Sequence, residues 1–265
     1  MWRFMTATVI GSIGTLSKLF LGYFNDTKVH GLEQFLRILQ DPQRKKGILT
    51  VSNHESVLDD PVLWGVLPLS VLFSPERMRW VLGAADICYT SVFRSYFFVF
   101  GQTIPTIRGA GIYQPALDFS IHHLQKKGWV HIYPEAKVSQ DNNGKMIRFK
   151  WGIGRILMDS SNAVSADTMS NSKEIDGDNR EPVIVIPIWH KGMHLVKPLY
   201  GTKLAHVGKP ITIVYGDPVS YGDILDSWKL GKLTREEARI ELTQRVYDAI
   251  EKLQKEYDNN TANSL

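Results

Sequence analysis

The sequence predicts a single α/β domain with a central mixed, largely parallel β-sheet flanked by helices. Short β-branched and apolar runs, which are typical of strands buried on both faces, alternate along the chain with segments of helical periodicity. A chain of 265 residues with 43% apolar residues is also large enough to bury one core of this kind.

The residue pattern places several strands and helices. Strands are expected at residues 47–51, 80–82, 129–133, 183–188 and 211–215. Apolar residues at helical spacing indicate helices near residues 32–39 and 117–124. Asp60 followed by Pro61 indicates the start of a further helix, with Asp60 as its N-cap.

Two segments stand out in the C-terminal part of the chain. Residues 160–181 are rich in Ser, Asn and Asp and poor in apolar residues, so we expect a mobile insertion there. Residues 234–257 are predicted to form a long helix, because Thr234 and Glu237 have the spacing of a capping box and apolar residues then repeat at helical spacing.

Residues 1–26 are predicted to form a helix that lies in a membrane interface, ahead of a domain over residues 27–265. The segment is apolar, is aromatic at both ends and carries Arg3 and Lys18, with no acidic residue before Asp26. We find no run of roughly 20 uncharged apolar residues, the length that a spanning helix needs, so monotopic attachment is expected. An ordinary amphipathic core helix is the alternative interpretation.

Charge and cysteine content limit the partners of the protein. The formal net charge is +4, which suits an anionic partner, either nucleic acid or an anionic membrane surface. The chain has neither zinc-finger spacing nor an RNP-type strand, so the sequence favours the membrane over nucleic acid. Cys88 is the only cysteine, so no intrachain disulfide can form.

Residues 53–58, here called the His54 turn, connect the strand at residues 47–51 to the helix that follows. One continuous helix would turn His54 and Asp59 roughly 140° apart, so the two side chains can meet only across a turn. In that arrangement Asp59 accepts the proton of one ring nitrogen and leaves the other nitrogen of His54 as a base. The pattern is that of a serine-protease triad without its serine, so the substrate would have to supply the hydroxyl.

Two other interpretations apply to these residues. In the first, His54 only satisfies a loop carbonyl while Asp59 or Asp60 caps the helix, and a lone histidine and aspartate favour that interpretation. A zinc protease motif would need a second histidine at position 58, which is Leu58, so no metal site is expected.

Three further short motifs follow predicted strands. Residues 101–109 end in a glycine preceded by Arg108, whose guanidinium suits a phosphate or carboxylate. Pro134 and Glu135 follow the strand at residues 129–133, and Pro187 lies in a segment that ends in polar residues.

In this order the four motifs resemble the conserved blocks of the glycerolipid acyltransferase family. The blocks are His-x4-Asp, Gly…Ile-Pro-x-x-Arg, Phe-Pro-Glu-Gly and Val-Pro, and the match covers roughly residues 53–187. Ala136 stands where the family usually has glycine, and Tyr133 stands where it has phenylalanine. Residues 59–64, 128–135, 149–155 and 187–193 are similar, more narrowly, to the mitochondrial phospholipid transacylases of this family.

The resemblance implies the glycerolipid acyltransferase fold and an exchange of fatty acyl chains between phospholipids and lysophospholipids without CoA or any other cofactor. The implied lipids are cardiolipin, monolysocardiolipin and phosphatidylcholine. The implied location is monotopic, on the inner and outer mitochondrial membranes, facing the intermembrane space. A homo-oligomer is compatible with this family but is not indicated by the residues.

The same resemblance implies roles for individual residues. His54 is the general base and Asp59 orients it, while Arg108 holds a headgroup phosphate. Glu135, with Pro134 and Ala136 beside it, helps to position the glycerol backbone. Backbone amides near the His54 turn are expected to stabilise the oxyanion. Trp189 and His190 are expected to be packing residues rather than catalysts.

Two alternatives to transacylation stay open at the sequence level. An acyl-CoA-dependent lysophospholipid acyltransferase would use the same His54 with a different donor. A non-catalytic membrane-binding scaffold would keep the fold without the reaction.

Overall fold

The computed structural model describes residues 1–140, 145–161, 182–200 and 204–262. In these residues one sheet contains seven strands: β1 (Asp26–His30), β2 (Ile48–Ser52), β3 (Trp80–Ala84), β4 (Thr103–Thr106), β5 (Trp129–Ile132), β6 (Ile184–Lys191) and β7 (Pro210–Tyr215). The predicted insertion at residues 160–181 falls, from residue 162 onward, outside the described residues.

Helices flank the sheet along the whole described chain. They are α1 (Trp2–Tyr23), α2 (Leu32–Gln40), α3 (Asp59–Leu63), α4 (Leu69–Leu72), α5 (Ala85–Cys88), α6 (Val92–Phe100), α7 (Pro115–Gln125), α8 (Gly152–Ser160), α9 (Met193–Val196), α10 (Gly222–Lys229) and α11 (Arg235–Ala262). A 3₁₀ turn at Trp64–Val66 continues α3. The C-terminal helix predicted over residues 234–257 is α11, and Thr234 and Glu237 form the capping box at its start.

The strand order is β1-β7-β6-β2-β5-β3-β4. Strands β6, β2, β5, β3 and β4 are parallel, whereas β7 is antiparallel to β6 and carries β1 parallel to itself. The prediction of a mixed, largely parallel sheet in one α/β domain is therefore confirmed. Because the five parallel strands share their carboxyl ends, residues that follow β2, β5, β3 and β4 lie along one edge of the sheet.

Two apolar layers cover the faces of the sheet. Alternate residues of β2 point to opposite sides, so Leu49 and Val51 belong to one layer and Ile48 to the other. The first layer includes α7, α8, α10 and α11, and the second includes α1, α2, α3, α4 and α9. All five residues of β2 are buried, as its apolar sequence predicts.

The end of β6 differs from the prediction. The strand continues past residue 188 to Lys191, because β7 pairs with it from Ile188 to Lys191 and satisfies its backbone groups there. His190 is therefore a fully buried strand residue rather than a residue that follows the strand.

The prediction that Asp60 caps a helix is wrong. Helix α3 begins at Asp59, two residues before the predicted first helical residue, Pro61, and its N-cap residue Leu58 makes no side-chain cap hydrogen bond. The Asp60 carboxylate is instead bound by the buried guanidinium of Arg79 and by the indole N–H of Trp64, at 3.0 Å. Pro61 is tolerated because the first backbone N–H groups of a helix have no intrahelical acceptor.

Helix α1 packs against the rest of the domain and also exposes apolar residues. It contacts α3, α4, α6 and the 3₁₀ turn, and Lys18 Nζ donates to the carbonyl oxygens of Gly65 and Leu67 at 3.2 and 3.0 Å. By length and composition, the 22-residue α1 is long and apolar enough to cross a membrane, although Arg3 and Lys18 lie within it, so a run of roughly 20 uncharged residues is not present there. However, 33% of its most apolar stretch is buried against the rest of the protein.

Candidate active site

His54 and Asp59 meet across the His54 turn at the carboxyl end of β2. His54 Nδ1 lies 2.9 Å from Asp59 Oδ2, which is hydrogen-bond distance. The His54 side chain is 20% exposed, whereas that of Asp59 is fully buried. An imidazole that donates from Nδ1 in its neutral form carries its lone pair on Nε2, so this geometry presents a potential base.

The buried carboxylate of Asp59 receives several donors on one oxygen. The backbone amides of Glu55 and Ser56 donate to Oδ2 at 2.7 and 2.9 Å. The other oxygen, Oδ1, is buried and has no hydrogen-bond partner in the part of the chain that the structure describes. Because a buried charge requires such donors, the turn is built around the ionised form of Asp59.

Tyr133, directly after β5, supports one face of the catalytic candidate His54. Their ring centroids are 4.3 Å apart and the planes are inclined by 27°, which is a stacked arrangement. The hydroxyl of Tyr133 is buried, and no described residue hydrogen-bonds to it. Burial raises the pKa of Tyr133 well above its ordinary value. Stacking restricts the orientations that the imidazole can adopt.

Glu135 ties the segment after β5 to the His54 turn. Its Oε1 accepts the backbone amide of His54 at 2.8 Å and its Oε2 accepts that of Ile147 at 3.0 Å. The residue is 2% exposed, and burial raises its pKa, although the two backbone hydrogen bonds oppose the shift. Both carboxylate oxygens therefore bind backbone, and this contact fixes the position of His54.

These contacts change what was expected of the oxyanion donors. The amides of His54, Glu55 and Ser56 donate to Glu135 or Asp59. These three amides are therefore committed to holding the turn together, and an oxyanion donor has to come from another group.

Pro134 and Ala136 flank Glu135 in different environments. Pro134 is buried and its carbonyl oxygen accepts the amide of Lys150 at 2.9 Å. Ala136 is exposed and has φ of 58°, a left-handed conformation that favours glycine. The turn geometry thus explains why glycine is usual at this position, and the added methyl group strains the backbone.

Arg108 lies on the same edge of the sheet but not in contact with His54. It follows β4, which is three strands from β2, so the spacing between strands gives a lateral separation of about 14 Å. The Arg108 side chain is 49% exposed and forms an ion pair with Asp86. That ion pair lowers the pKa of Asp86.

Two contacts at the site could not be predicted from the motifs. Asn53 and His190 exchange hydrogen bonds across β2 and β6, and Glu55 accepts from Gly192 and His194. The signal for His190 was the alternation Ile186, Ile188, His190 along β6, which places all three on one face once the strand extends past residue 188.

Comparisons with known proteins identify the family of the chain. The family model described as Acyltransferase matches residues 26–191. Tafazzin from Drosophila melanogaster is 33% identical over 96% of this chain and 62% of its own length. Taffazin from Dictyostelium discoideum is 33% identical over 85% of this chain and 73% of its own length. The chain thus spans less than two thirds of the fly protein.

Two further proteins are similar to the chain. N-acylphosphatidylethanolamine synthase from Arabidopsis thaliana is 32% identical over 81% of this chain and 70% of its own length. The crystal structure of the 1-acyl-sn-glycerophosphate acyltransferase PlsC from Thermotoga maritima superposes with a TM-score of 0.56 at 18% identity. It covers 94% of this chain and 79% of the PlsC chain, which is a likeness of fold. The matched family model and the identity to the two tafazzins show that this chain belongs to the tafazzins of the glycerolipid acyltransferase family.

Proposed function

We propose that the protein is a transacylase that moves fatty acyl chains between phospholipids and lysophospholipids without CoA. The observation that carries this proposal is the hydrogen bond between His54 Nδ1 and Asp59 Oδ2 in a chain of the acyltransferase family. No side chain is needed as a nucleophile, because the free hydroxyl of the lysolipid serves as one.

The reaction needs one base that acts in both directions. His54 Nε2 takes the proton from the lysolipid hydroxyl while that oxygen attacks the acyl carbonyl carbon of the donor phospholipid. The tetrahedral intermediate collapses, the ester bond to the donor glycerol oxygen breaks, and His54 returns the proton to that oxygen. Asp59 holds the imidazole and stabilises its charged form. One ester replaces another, so the exchange needs no external energy source.

The substrates follow from the family and from the charges near the site. Phosphatidylcholine, cardiolipin and monolysocardiolipin are proposed as substrates in remodelling at mitochondrial membranes. Arg108 is half-exposed on the same edge of the sheet, and its guanidinium would exchange Asp86 for a headgroup phosphate. Glu135 contributes by holding the turn, and the glycerol backbone would lie beside it.

Attachment to one face of the membrane accompanies this function. Helices α1 and α6 touch through Trp2 and Phe100, whose rings are 4.8 Å apart. Both helices expose large apolar side chains, including Phe4 at 73% and Phe93 at 82%. We propose that this surface lies in the interface, with the site open to lipids, and that the protein faces the intermembrane space.

A second candidate is transfer of an acyl chain to the amine of phosphatidylethanolamine. It is favoured by the 32% identity to an N-acylphosphatidylethanolamine synthase, which is close to the 33% identity to the tafazzins. The same base would take a proton from nitrogen rather than oxygen, and the product would be an amide.

The acyl donor distinguishes a transacylase from a CoA-dependent acyltransferase. The purified protein is incubated with labelled phosphatidylcholine and monolysocardiolipin in the absence of CoA, and in parallel with labelled acyl-CoA and the same acceptor. We expect label in cardiolipin in the first reaction. Transfer from acyl-CoA alone would overturn the transacylase assignment in favour of a CoA-dependent acyltransferase, and no transfer in either reaction would favour a scaffold.

The acceptor is tested in the same assay. Phosphatidylethanolamine replaces monolysocardiolipin, and the labelled products are treated with mild alkaline methanol, which cleaves esters and leaves amides intact. We expect alkali-labile ester products with the lysolipid as acceptor and no alkali-resistant label with phosphatidylethanolamine. Label that survives this treatment and depends on phosphatidylethanolamine would instead favour the N-acyl candidate.

A further inference from the structure

The peptide that precedes His54 is held by the buried end of β6. Asn53 Nδ2 donates to the carbonyl oxygen of His190 at 2.8 Å, and the amide of His190 donates to Asn53 Oδ1 at 3.0 Å. The ring of His190 adds a third bond, from Nε2 to the carbonyl oxygen of Asn53 at 2.9 Å. Asn53 is 5% exposed and His190 is fully buried, so solvent does not compete for these bonds.

The tautomer of His190 follows from its partner. A carbonyl oxygen only accepts, so Nε2 of His190 carries a hydrogen, and in a neutral ring the lone pair is then on Nδ1. Nε2 also lies 3.5 Å from Asp59 Oδ2, the same oxygen that pairs with His54. This N–H group therefore faces both the backbone of the His54 turn and the carboxylate that orients His54.

As a packing residue alone, His190 is less favourable than an apolar side chain would be. Its Nδ1 is buried and has no hydrogen-bond partner among the described residues, which is unfavourable compared with an apolar side chain of similar size. A polar ring at this position is explained by what Nε2 does, because that nitrogen contacts the Asn53 carbonyl oxygen and Asp59 in a way that an apolar residue could not.

The residue after His54 is held from the same direction. Glu55 Oε2 accepts the amide of Gly192 at 2.9 Å and lies 3.0 Å from His194 Nδ1. Both neighbours of His54 in the chain are therefore fixed to the end of β6 and the start of α9. The backbone position of His54 then depends on these contacts as well as on Asp59.

We propose that His190 and Asn53 are positioning residues for His54 in the acyl transfer reaction. This inference rests on the proposed function, in which His54 is the base. By fixing the peptide between residues 53 and 54, the pair keeps Nδ1 of His54 within hydrogen-bond distance of Asp59 and Nε2 directed toward the substrate. Without the pair, the turn moves and His54 loses its single orientation.

Kinetics of matched variants test this role. His190→Leu removes the Nε2 donor, whereas His190→Gln places an amide N–H at a similar distance from the backbone. We expect kcat to fall about 100-fold in His190→Leu, because a displacement of about 1 Å is enough for such a loss. KM for the lysolipid should change little, and His190→Gln should restore most of kcat.

One further variant tests the same role, and another serves as a control. Asn53→Ala breaks the two side-chain bonds to the backbone of residue 190 and should lower kcat as His190→Leu does. Ile188→Val is a buried substitution on the same face of β6 without a polar contact, and should leave kcat unchanged. Equal losses of kcat in His190→Leu, His190→Gln and Ile188→Val would overturn the proposal, since that result indicates a general packing defect.

A second readout needs no turnover. With ¹⁵N-labelled histidine, NMR identifies the tautomer of each ring, and the His54 signals are assigned by their loss in His54→Ala. We expect the Nδ1–H tautomer for His54 in the wild type and in His190→Gln, and a mixture of tautomers in His190→Leu.

The two readouts separate this inference from the proposed function. Persistence of the Nδ1–H tautomer with unchanged kcat in His190→Leu would overturn the positioning role alone. Full acyl transfer by His54→Ala would overturn the proposed function, and the NMR result would still decide whether His190 orients His54.

Discussion

At the scale of single residues, the site is organised around a buried negative charge. Asp59 Oδ2 is close to His54 Nδ1 and accepts the amides of Glu55 and Ser56, so the carboxylate that orients the imidazole also defines the His54 turn. Glu135 is a second carboxylate that binds backbone amides, because its two oxygens accept the amides of His54 and Ile147. Two carboxylates thus fix the backbone of His54 before any substrate binds.

Glu135→Gln is expected to destabilise the protein. One carboxamide position carries N–H groups, so one of the two backbone amides loses its acceptor. The expected loss in the free energy of unfolding is about 1.5–3 kcal/mol, the usual range for a hydrogen bond to a charged group. Chemical denaturation in detergent measures it, with the exposed Glu33→Gln as a control. Equal stability of the two variants would contradict the role of Glu135 as a backbone tie.

Ala136→Gly is expected to stabilise the protein. Relief of the left-handed strain at φ of 58° outweighs the greater freedom of glycine in the unfolded chain, for a net gain of about 0.5–1 kcal/mol. Thermal unfolding measures the gain, and acyl transfer should be retained. A loss of stability would mean that the methyl group, although exposed, makes contacts that matter.

At the scale of elements, the site is the meeting point of β2, β6 and the segment after β5. The carboxyl end of β2 supplies Asn53 and His54, the end of β6 supplies His190, and α9 brings His194 to Glu55. The contacts between residues 53 and 190 and between residues 55 and 192 join positions that are more than 130 residues apart in the chain. The parallel order of the strands is what brings them to one edge.

The contact between Glu55 and His194 is expected to make stability depend on pH. The hydrogen bond with Glu55 raises the pKa of His194 above 6.5, despite partial burial. A raised pKa in the folded state means that the contribution is complete below about pH 6.5 and is lost as pH rises through the folded pKa. The stability difference between the wild type and His194→Asn, which keeps a donor but no charge, should therefore be larger at about pH 6 than at about pH 9.

Denaturant titrations of both proteins across this range measure the difference. Because His194 is 38% exposed, we expect only the direction of the effect and its salt sensitivity to be diagnostic. A difference that grows with pH would contradict the assigned ion pair.

The sequence was informative where a local pattern determines the structure. Buried strands such as β2 and the capping box of α11 were predicted because their signals lie within a few residues. The meeting of His54 and Asp59 was also predictable, since it depends on one turn. The contacts of His190 were not, because they depend on where β7 pairs with β6. The contact of Asp60 with Arg79, which replaces the predicted helix cap, was also not predictable, because Arg79 lies 19 residues further along the chain.

At the scale of the whole molecule, the apolar surface of α1 and α6 is separate from the layer formed by α7, α8, α10 and α11. This first layer covers the face of the sheet opposite to the one that α1 covers. The proposed membrane interface is thus on one side of the protein. The formal net charge of +4 favours binding to anionic lipids.

Replacing Val92 and Phe93 by serine is expected to weaken binding to lipid vesicles. Their side chains are 74% and 82% exposed, and burial of one such side chain contributes about 1.5–3 kcal/mol. Vesicle affinity, measured by flotation, should fall about tenfold or more. The control Leu230→Ser changes an apolar residue that is 70% exposed at the end of α10 and should leave affinity unchanged. Equal effects of the two changes would argue against a defined membrane face.

The central claim is that His54, oriented by Asp59, is the base of acyl transfer. It is tested most directly by CoA-free transfer from labelled phosphatidylcholine to monolysocardiolipin in the wild type, His54→Ala and Asp59→Asn, with unfolding temperature and vesicle binding measured alongside. We expect both variants to lose about 10³-fold or more in rate while His54→Ala, at a partly exposed position, keeps its fold and its membrane binding. Transfer by a folded His54→Ala protein at the wild-type rate would contradict the account.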